Sequence, residues 1–244
     1  PKTGVPYFDS FPLVSTRDLA NSLEQLRTHL KIDSIHTLIG GSLGGQVALE
    51  WAYLLGNKLQ HVIAVAATAK TSPWVIGFNE AQRMAIASDS TWGQPQEDAG
   101  LKGLEAARAM AMLSYRNPQD LNAKQQETTD KLDGFLASSY LRYQGAKLTK
   151  RFNAFSYWTL TKAMDSHDIG RGRGGVEMAL KSIQAQVFAV GVNSDLLFLA
   201  EEARFLSQAV PSGSYGEIVS KAGHDAFLIE FTQLTSLIEE FYRS

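Results

Sequence analysis

The chain has 244 residues, 44% of them hydrophobic and 20% charged, which suits one large water-soluble domain or a domain carrying a sizeable insertion. A formal net charge of −2 gives no electrostatic ground for a nucleic-acid or anionic-membrane partner, and no apolar run approaches the ~18 residues that a bilayer span needs. The absence of cysteine excludes disulfides, thiolate metal sites and a cysteine nucleophile in the chain, and fits a cytoplasmic protein.

Pro1-Lys2-Thr3-Gly4-Val5-Pro6 carries no initiator methionine and no signal-peptide pattern. It reads as the middle of a loop, so a further N-terminal part is expected outside this sequence. Ser15-Thr16-Arg17-Asp18 has capping-box spacing, and Leu19, Leu23, Leu26 and Leu30 follow at helical intervals. A helix should therefore end near Lys31. His36-Thr37-Leu38-Ile39 reads as a short buried strand, followed by a glycine-rich turn around Ser42 and a helix over about 43–55. Gly56-Asn57 stops that helix. A second strand over 61–67 is rich in the β-branched residues that buried parallel strands favour.

From about 72 to 182 the texture changes. Strong strand runs disappear, and helices are expected over 79–88, 100–115, 124–140 and 155–164. The strand pattern resumes at Gln186-Val187-Phe188-Ala189-Val190-Gly191, then come a helix over 200–209, a short strand near 215–220 and a last helix over 226–242. Strands alternating with helices imply an α/β fold with a mostly parallel sheet and helices on both faces. The division expected is a core built from 1–71 and 183–244, with 72–182 as a helical lid. Four strands leave an apolar edge, which further N-terminal strands would cover.

Gly40-x-Ser42-x-Gly44, set between a strand and a helix, has the form of a nucleophile elbow. Such a turn lifts the serine hydroxyl above the sheet, and the next helix points its N-terminus at the place where negative charge develops. A phosphate loop would need a lysine before the Ser/Thr, and a dinucleotide fingerprint needs differently spaced glycines. The turn alone leaves a purely structural role open.

A nucleophilic serine needs a base and an orienting carboxylate, and above a parallel sheet of this kind their chain order is serine, acid, histidine. Of the five histidines, His29 and His36 precede Ser42 and His61 opens a strand. His224, in Lys221-Ala222-Gly223-His224-Asp225, follows the last strand and is the favoured base; His167, in the helical segment, is the weaker candidate. Asp195 follows the penultimate strand in Gly191-Val192-Asn193-Ser194-Asp195 and is the candidate acid. Ser42, Asp195 and His224 are thus the expected triad.

Several further segments resemble one family. They are Gly40-Gly41-Ser42-Leu43-Gly44-Gly45, Phe78-Asn79-Glu80-Ala81-Gln82-Arg83, Ser139-Tyr140-Leu141-Arg142-Tyr143-Gln144-Gly145, the stretch from Ala163-Met164-Asp165-Ser166-His167 through Arg171-Gly172-Arg173-Gly174-Gly175, Ser194-Asp195-Leu196-Leu197-Phe198, and Gly223-His224-Asp225-Ala226-Phe227-Leu228. With these the chain resembles the homoserine O-acetyltransferases, acyltransferases of the α/β-hydrolase superfamily. The resemblance implies transfer of an acetyl group from acetyl-CoA, a co-substrate, to the hydroxyl of L-homoserine, in methionine biosynthesis, through an acetyl-Ser42 intermediate and ping-pong kinetics. No permanently bound cofactor and no metal are expected.

It also implies that the Leu43 N–H is one oxyanion donor, where the family usually has methionine, and that the second donor comes from a loop after an earlier strand, outside this sequence. Arg108 would take the homoserine carboxylate, with Tyr115 seven positions on, and Asp225 would take the ammonium. Arg171 and Arg173 could meet CoA phosphates or clamp a loop. A homodimer through the lid helices is expected. Succinyl-CoA as donor, L-serine as acceptor, a plain esterase or thioesterase, and a non-catalytic module are the competing expectations.

Overall fold

The computed structural model describes residues 2–243. The first long element is α1 (Thr16–His29), opened by the expected box: Ser15 accepts from the Asp18 N–H and Asp18 accepts from the Ser15 N–H at 2.8 Å. Then come β1 (Ile35–Gly41), α2 (Leu43–Leu55) and β2 (Leu59–Val65). The segment that follows holds α3 (Pro73–Ala87), α4 (Leu101–Tyr115), α5 (Pro118–Lys124), α6 (Leu136–Thr149), α7 (Ala154–Asp165) and α8 (Val176–Lys181). The chain finishes with β3 (Gln186–Val192), α9 (Ala200–Ala209), β4 (Gly213–Ile218) and α10 (Phe231–Arg243).

The four described strands form one sheet in the order β1-β2-β3-β4, and every pairing is parallel. Alternate residues of β2 and β3 feed opposite layers. Val62, Ala64, Val187 and Ala189 meet α2 and α9 on one side, together with Ala179 and Leu180 of α8. Ile63, Val65, Phe188 and Val190 meet Leu234, Leu237 and Ile238 of α10 on the other. Both faces are covered, so these strands read as continuous apolar runs. The fold is the α/β-hydrolase arrangement expected, with the three loops that carry Ser42, Asp195 and His224 all following C-terminal strand ends.

The segment after β2 has an apolar cluster of its own, with Ile86, Leu104, Ala107, Leu148, Ala154 and Tyr157 at its centre. A second cluster joins it to the sheet side, where Val75, Phe78, Tyr115 and Met164 surround Leu197 and Phe198 of the loop after β3.

Several element boundaries differ from expectation. The helix expected over 124–140 is not formed as such: α5 ends at Lys124, residues 125–135 are a loop, and α6 begins only at Leu136. Asn117 caps α5 by accepting from the Gln119 N–H at 2.9 Å with Pro118 in the first turn, and the polar run after Lys124 cannot extend the helix. The helix expected from 79 begins at Pro73, because Ser72 caps it and proline suits a first turn. The expected final helix begins at Phe231, after a separate 3-10 turn, Gly223–Leu228, that carries His224. The short α8 had no clear signal behind its glycine-rich approach.

Candidate active site

Ser42 sits at the junction of β1 and α2 with φ 55° and ψ −124°, a left-handed backbone that a side-chain-bearing residue adopts at a cost of roughly 1–3 kcal/mol. The turn is possible because neighbours are stripped of side chains. A Cβ on Gly40 would run into the Gly44 carbonyl, and one on Gly45 would lie 2.5 Å from Ala67 Cβ. Gly44, the second glycine of the elbow pattern, is different: nothing lies within 4 Å of a Cβ placed there. Close packing of helix on strand therefore needs Gly40 and Gly45, while the space over Gly44 is open. At the head of α2 the Gly45 and Gln46 N–H groups donate to the Ser42 carbonyl at 2.9 and 3.2 Å, while those of Leu43 and Gly44 have no such acceptor, so this end of α2 favours an anion.

His224 Nε2 lies 2.9 Å from Ser42 Oγ, and His224 Nδ1 lies 2.7 Å from Asp195 Oδ2. The ionised carboxylate can only accept, which puts the imidazole proton on Nδ1 and leaves Nε2 to accept the serine proton. Asp195 Oδ1 accepts from the N–H groups of Leu197 at 2.7 Å and Phe198 at 3.0 Å, which fixes the carboxylate plane. Asp195 is 3% exposed and His224 4%, so the hydrogen bond between them lies away from bulk water.

The end of α4 braces both loops. A Cβ on Gly223 (φ 70°) would lie 2.8 Å from the backbone of Tyr115, Arg116 and Asn117. Asn117 Nδ2 donates to the Ser194 carbonyl at 3.3 Å, and the Gly223 N–H donates to Ser194 Oγ at 3.0 Å. Tyr115 is thereby held beside the imidazole, with ring centroids 5.7 Å apart, and the Arg108 guanidinium lies 5.2 Å from the Tyr115 ring centre. Burial pushes the Tyr115 phenol above its ordinary pKa, although the Arg108 charge pulls the other way. Among the described residues Arg108 has no carboxylate partner, so its charge is available to a ligand. Asp225 is engaged: Arg116 Nη2 lies 3.4 Å from its Oδ2. Sequence reasoning missed Arg116, whose only signal was its place one residue beyond Tyr115.

A cavity of about 260 Å³ opens beside this group, with Leu43, Tyr115, Leu148, Phe152, Leu160 and Met164 among its walls. Its lining is largely apolar, as a small-molecule chamber requires.

The remaining candidates fall elsewhere. His167 is buried, with Nδ1 2.9 Å from Thr16 Oγ1 and Nε2 3.0 Å from the Thr68 carbonyl, and burial lowers its pKa to about 4. It is a neutral packing histidine with both ring nitrogens occupied. Arg173 is a clamp: its Nη2 pairs with buried Glu50 of α2 at 2.8 Å and its guanidinium lies 3.7 Å from the Tyr53 ring centre. Arg171 donates to the Ser166 carbonyl. No group of three or more metal-ligating side chains occurs among the described residues.

Residues 6–231 match the family model of the alpha/beta hydrolase fold. The homoserine O-acetyltransferase of Cyclobacterium marinum is 60% identical over 242 residues, which cover 99% of this chain and 69% of that protein. The chain belongs to the homoserine O-acetyltransferase family. That family comprises acyltransferases built on the α/β-hydrolase fold, and the chain is a member enzyme. The crystal structure of homoserine O-acetyltransferase from Staphylococcus aureus is 30% identical and superposes with a TM-score of 0.81, over 96% of this chain and 67% of that one. Esterase E22 superposes with a TM-score of 0.88 at 22% identity, over 97% of this chain and 69% of that one, and so shares the fold.

Proposed function

We propose that the chain transfers an acetyl group from acetyl-CoA to the side-chain hydroxyl of L-homoserine, with Ser42, His224 and Asp195 as its catalytic triad. The observation that carries the assignment is the unbroken relay from a strained Ser42 through His224 to Asp195, at 2.9 and 2.7 Å, in a chain of this family. Ser42 Oγ attacks the thioester carbonyl as His224 Nε2 takes its proton. The tetrahedral oxyanion is met by the Leu43 N–H at the head of α2. Collapse breaks the C–S bond, His224 returns the proton to the CoA thiolate, and an acetyl ester remains on Ser42. In the second half, His224 deprotonates the homoserine hydroxyl, which attacks the ester and leaves as O-acetylhomoserine while Ser42 is reprotonated.

Arg108 would hold the carboxylate of homoserine, for it is a cation with no anion of its own, and Tyr115 would pack against the bound amino acid. Asp225 would hold the ammonium by exchanging part of its contact with Arg116. Residues 72–182 act in this reading as the lid that keeps water from the acetyl ester, and as the surface through which two copies pair. Acetyl-CoA is a co-substrate, no resident cofactor is needed, and the enzyme works in the cytoplasm in methionine biosynthesis. No helix among the described residues is long and apolar enough to cross a membrane.

Intact-mass and peptide mass spectrometry after incubation with a panel of CoA thioesters tests the reading. An acetyl adduct on Ser42 that homoserine discharges is the expected result. A succinyl adduct without an acetyl one would replace the donor, discharge by serine alone would replace the acceptor, and rapid loss to water would make the enzyme a hydrolase.

A further inference from the structure

Asn79, on α3, lines the chamber beside Leu43 and Tyr115 although it is itself only 5% exposed. Its Nδ2 donates to Asp165 Oδ1 at 2.7 Å. The other oxygen of that carboxylate, Oδ2, is ion-paired with Arg83 Nη2 at 2.6 Å, and Arg83 is buried. An aspartate held this way accepts hydrogen bonds, so it dictates which end of the Asn79 amide turns toward it. Nδ2 must face Asp165, and Oδ1 must therefore face away.

Asn79 Oδ1 has no protein partner. It is not sealed off either: among the described residues the sealed side-chain atoms without a partner are Gln46 Oε1 and Arg83 Nη1. Its open side is the chamber. Much of the surrounding wall is hydrocarbon, from Leu43, Leu148, Phe152, Leu160 and Met164, and the one cation in it, Arg151, makes no hydrogen bond to Asn79. The hydroxyls nearby are spoken for, since Tyr157 donates to Gln82 Oε1, the Tyr115 hydroxyl is hydrogen-bonded to that of Tyr157, and Thr161 donates to the Trp158 carbonyl at 2.9 Å. A fixed acceptor in an apolar chamber favours a ligand group that brings an N–H.

We propose that Asn79 is a substrate-binding residue whose Oδ1 accepts a hydrogen bond from an N–H donor of the bound substrate, with Asp165 and Arg83 as positioning residues that hold the amide in that orientation. The inference rests on the acyl-transfer reading above. Two kinds of group in that chemistry carry the required N–H: the ammonium of the acceptor amino acid and the two amides of the pantetheine arm of the donor. A ping-pong mechanism separates them, because kcat/KM for each substrate reports only its own half-reaction.

The test is two-substrate initial-rate kinetics on the full-length protein, comparing wild type with Asn79→Leu and, as a smaller change that is easier to fold, Asn79→Ser. The expected result is a fall of about tenfold or more in kcat/KM for one substrate, with the other within about twofold. A fall confined to the amino acid assigns the ammonium, and one confined to the thioester assigns a pantetheine amide. Both values within twofold of wild type would overturn the proposal. So would a proportionate loss in both, which is what a purely structural asparagine predicts. If wild type itself forms no acyl-Ser42, the failure belongs to the transfer reading and not to Asn79.

Discussion

Ser42, Asp195 and His224 stand on short connections at the ends of parallel strands, whereas Arg108 and Tyr115 stand on α4, in the helical segment between β2 and β3. The first group is joined by direct hydrogen bonds of 2.7–2.9 Å and fixed by backbone donors. The second is joined by ring contacts of 5–6 Å, through the Tyr115 ring to Arg108 on one side and to His224 on the other. Strand ends are anchored by the sheet and hold a reacting geometry, while helix faces can present different side chains to different substrates. In the proposed mechanism the chemistry would thus rest on groups anchored by the sheet, and selection on a helix face that can vary.

The largest break in that comparison is Ser42→Ala, which should remove the acyl-enzyme and lower turnover by about 10⁴–10⁶-fold, read by mass spectrometry and steady-state rates. Asp195→Asn should follow, at about 10⁴-fold in kcat, because the amide can present an N–H to His224 Nδ1 and favour the wrong tautomer. Unchanged kcat in either variant would remove the triad from the mechanism.

His167 lies where the two regions meet, and its effect is on stability. Its folded pKa of about 4 is below the ordinary 6.5, so between those values the unfolded chain binds more protons. Stability should be full above pH 6.5 and fall as pH drops toward 4, by up to roughly 3 kcal/mol. Urea unfolding at pH 7 and pH 4.5 measures the slope, and His167→Gln should flatten it.

On the helical side, Arg108→Ala should raise KM for the amino acid by about 10–100-fold, the worth of one charge-assisted hydrogen bond, and leave formation of the acyl-enzyme nearly untouched. An equal loss in the first half-reaction would place Arg108 outside acceptor binding. The smallest effect sharpens the elbow itself. Gly45→Ala should cost about 1–3 kcal/mol by forcing Ala67 away, whereas Gly44→Ala should be neutral or slightly stabilising in the first turn of α2, as thermal melts would show.

Much of the framework was legible because it follows from local rules. The Ser15 capping box, the span of α2 and that of α9 depend on neighbours a few residues apart, and the serine, acid and histidine were each marked by a place just after a strand pattern. The helical segment was less legible. The 3-10 turn that carries His224 and the pairing of Arg116 with Asp225 depend on partners far away in sequence, for which the local pattern holds no record.

The sequence by itself determined the alternating strands and helices, the strained serine turn and the family, since these reside in periodicity, glycine placement and contiguous motifs. Tertiary structure alone decided which polar groups were free. Arg173 is consumed by Glu50, His167 by two threonines and Asp225 in part by Arg116, while Arg108 and Asn79 Oδ1 are left open to a ligand. The physical reason is that a charge or an amide shows its availability only when every neighbour that could satisfy it has been brought into place by the fold.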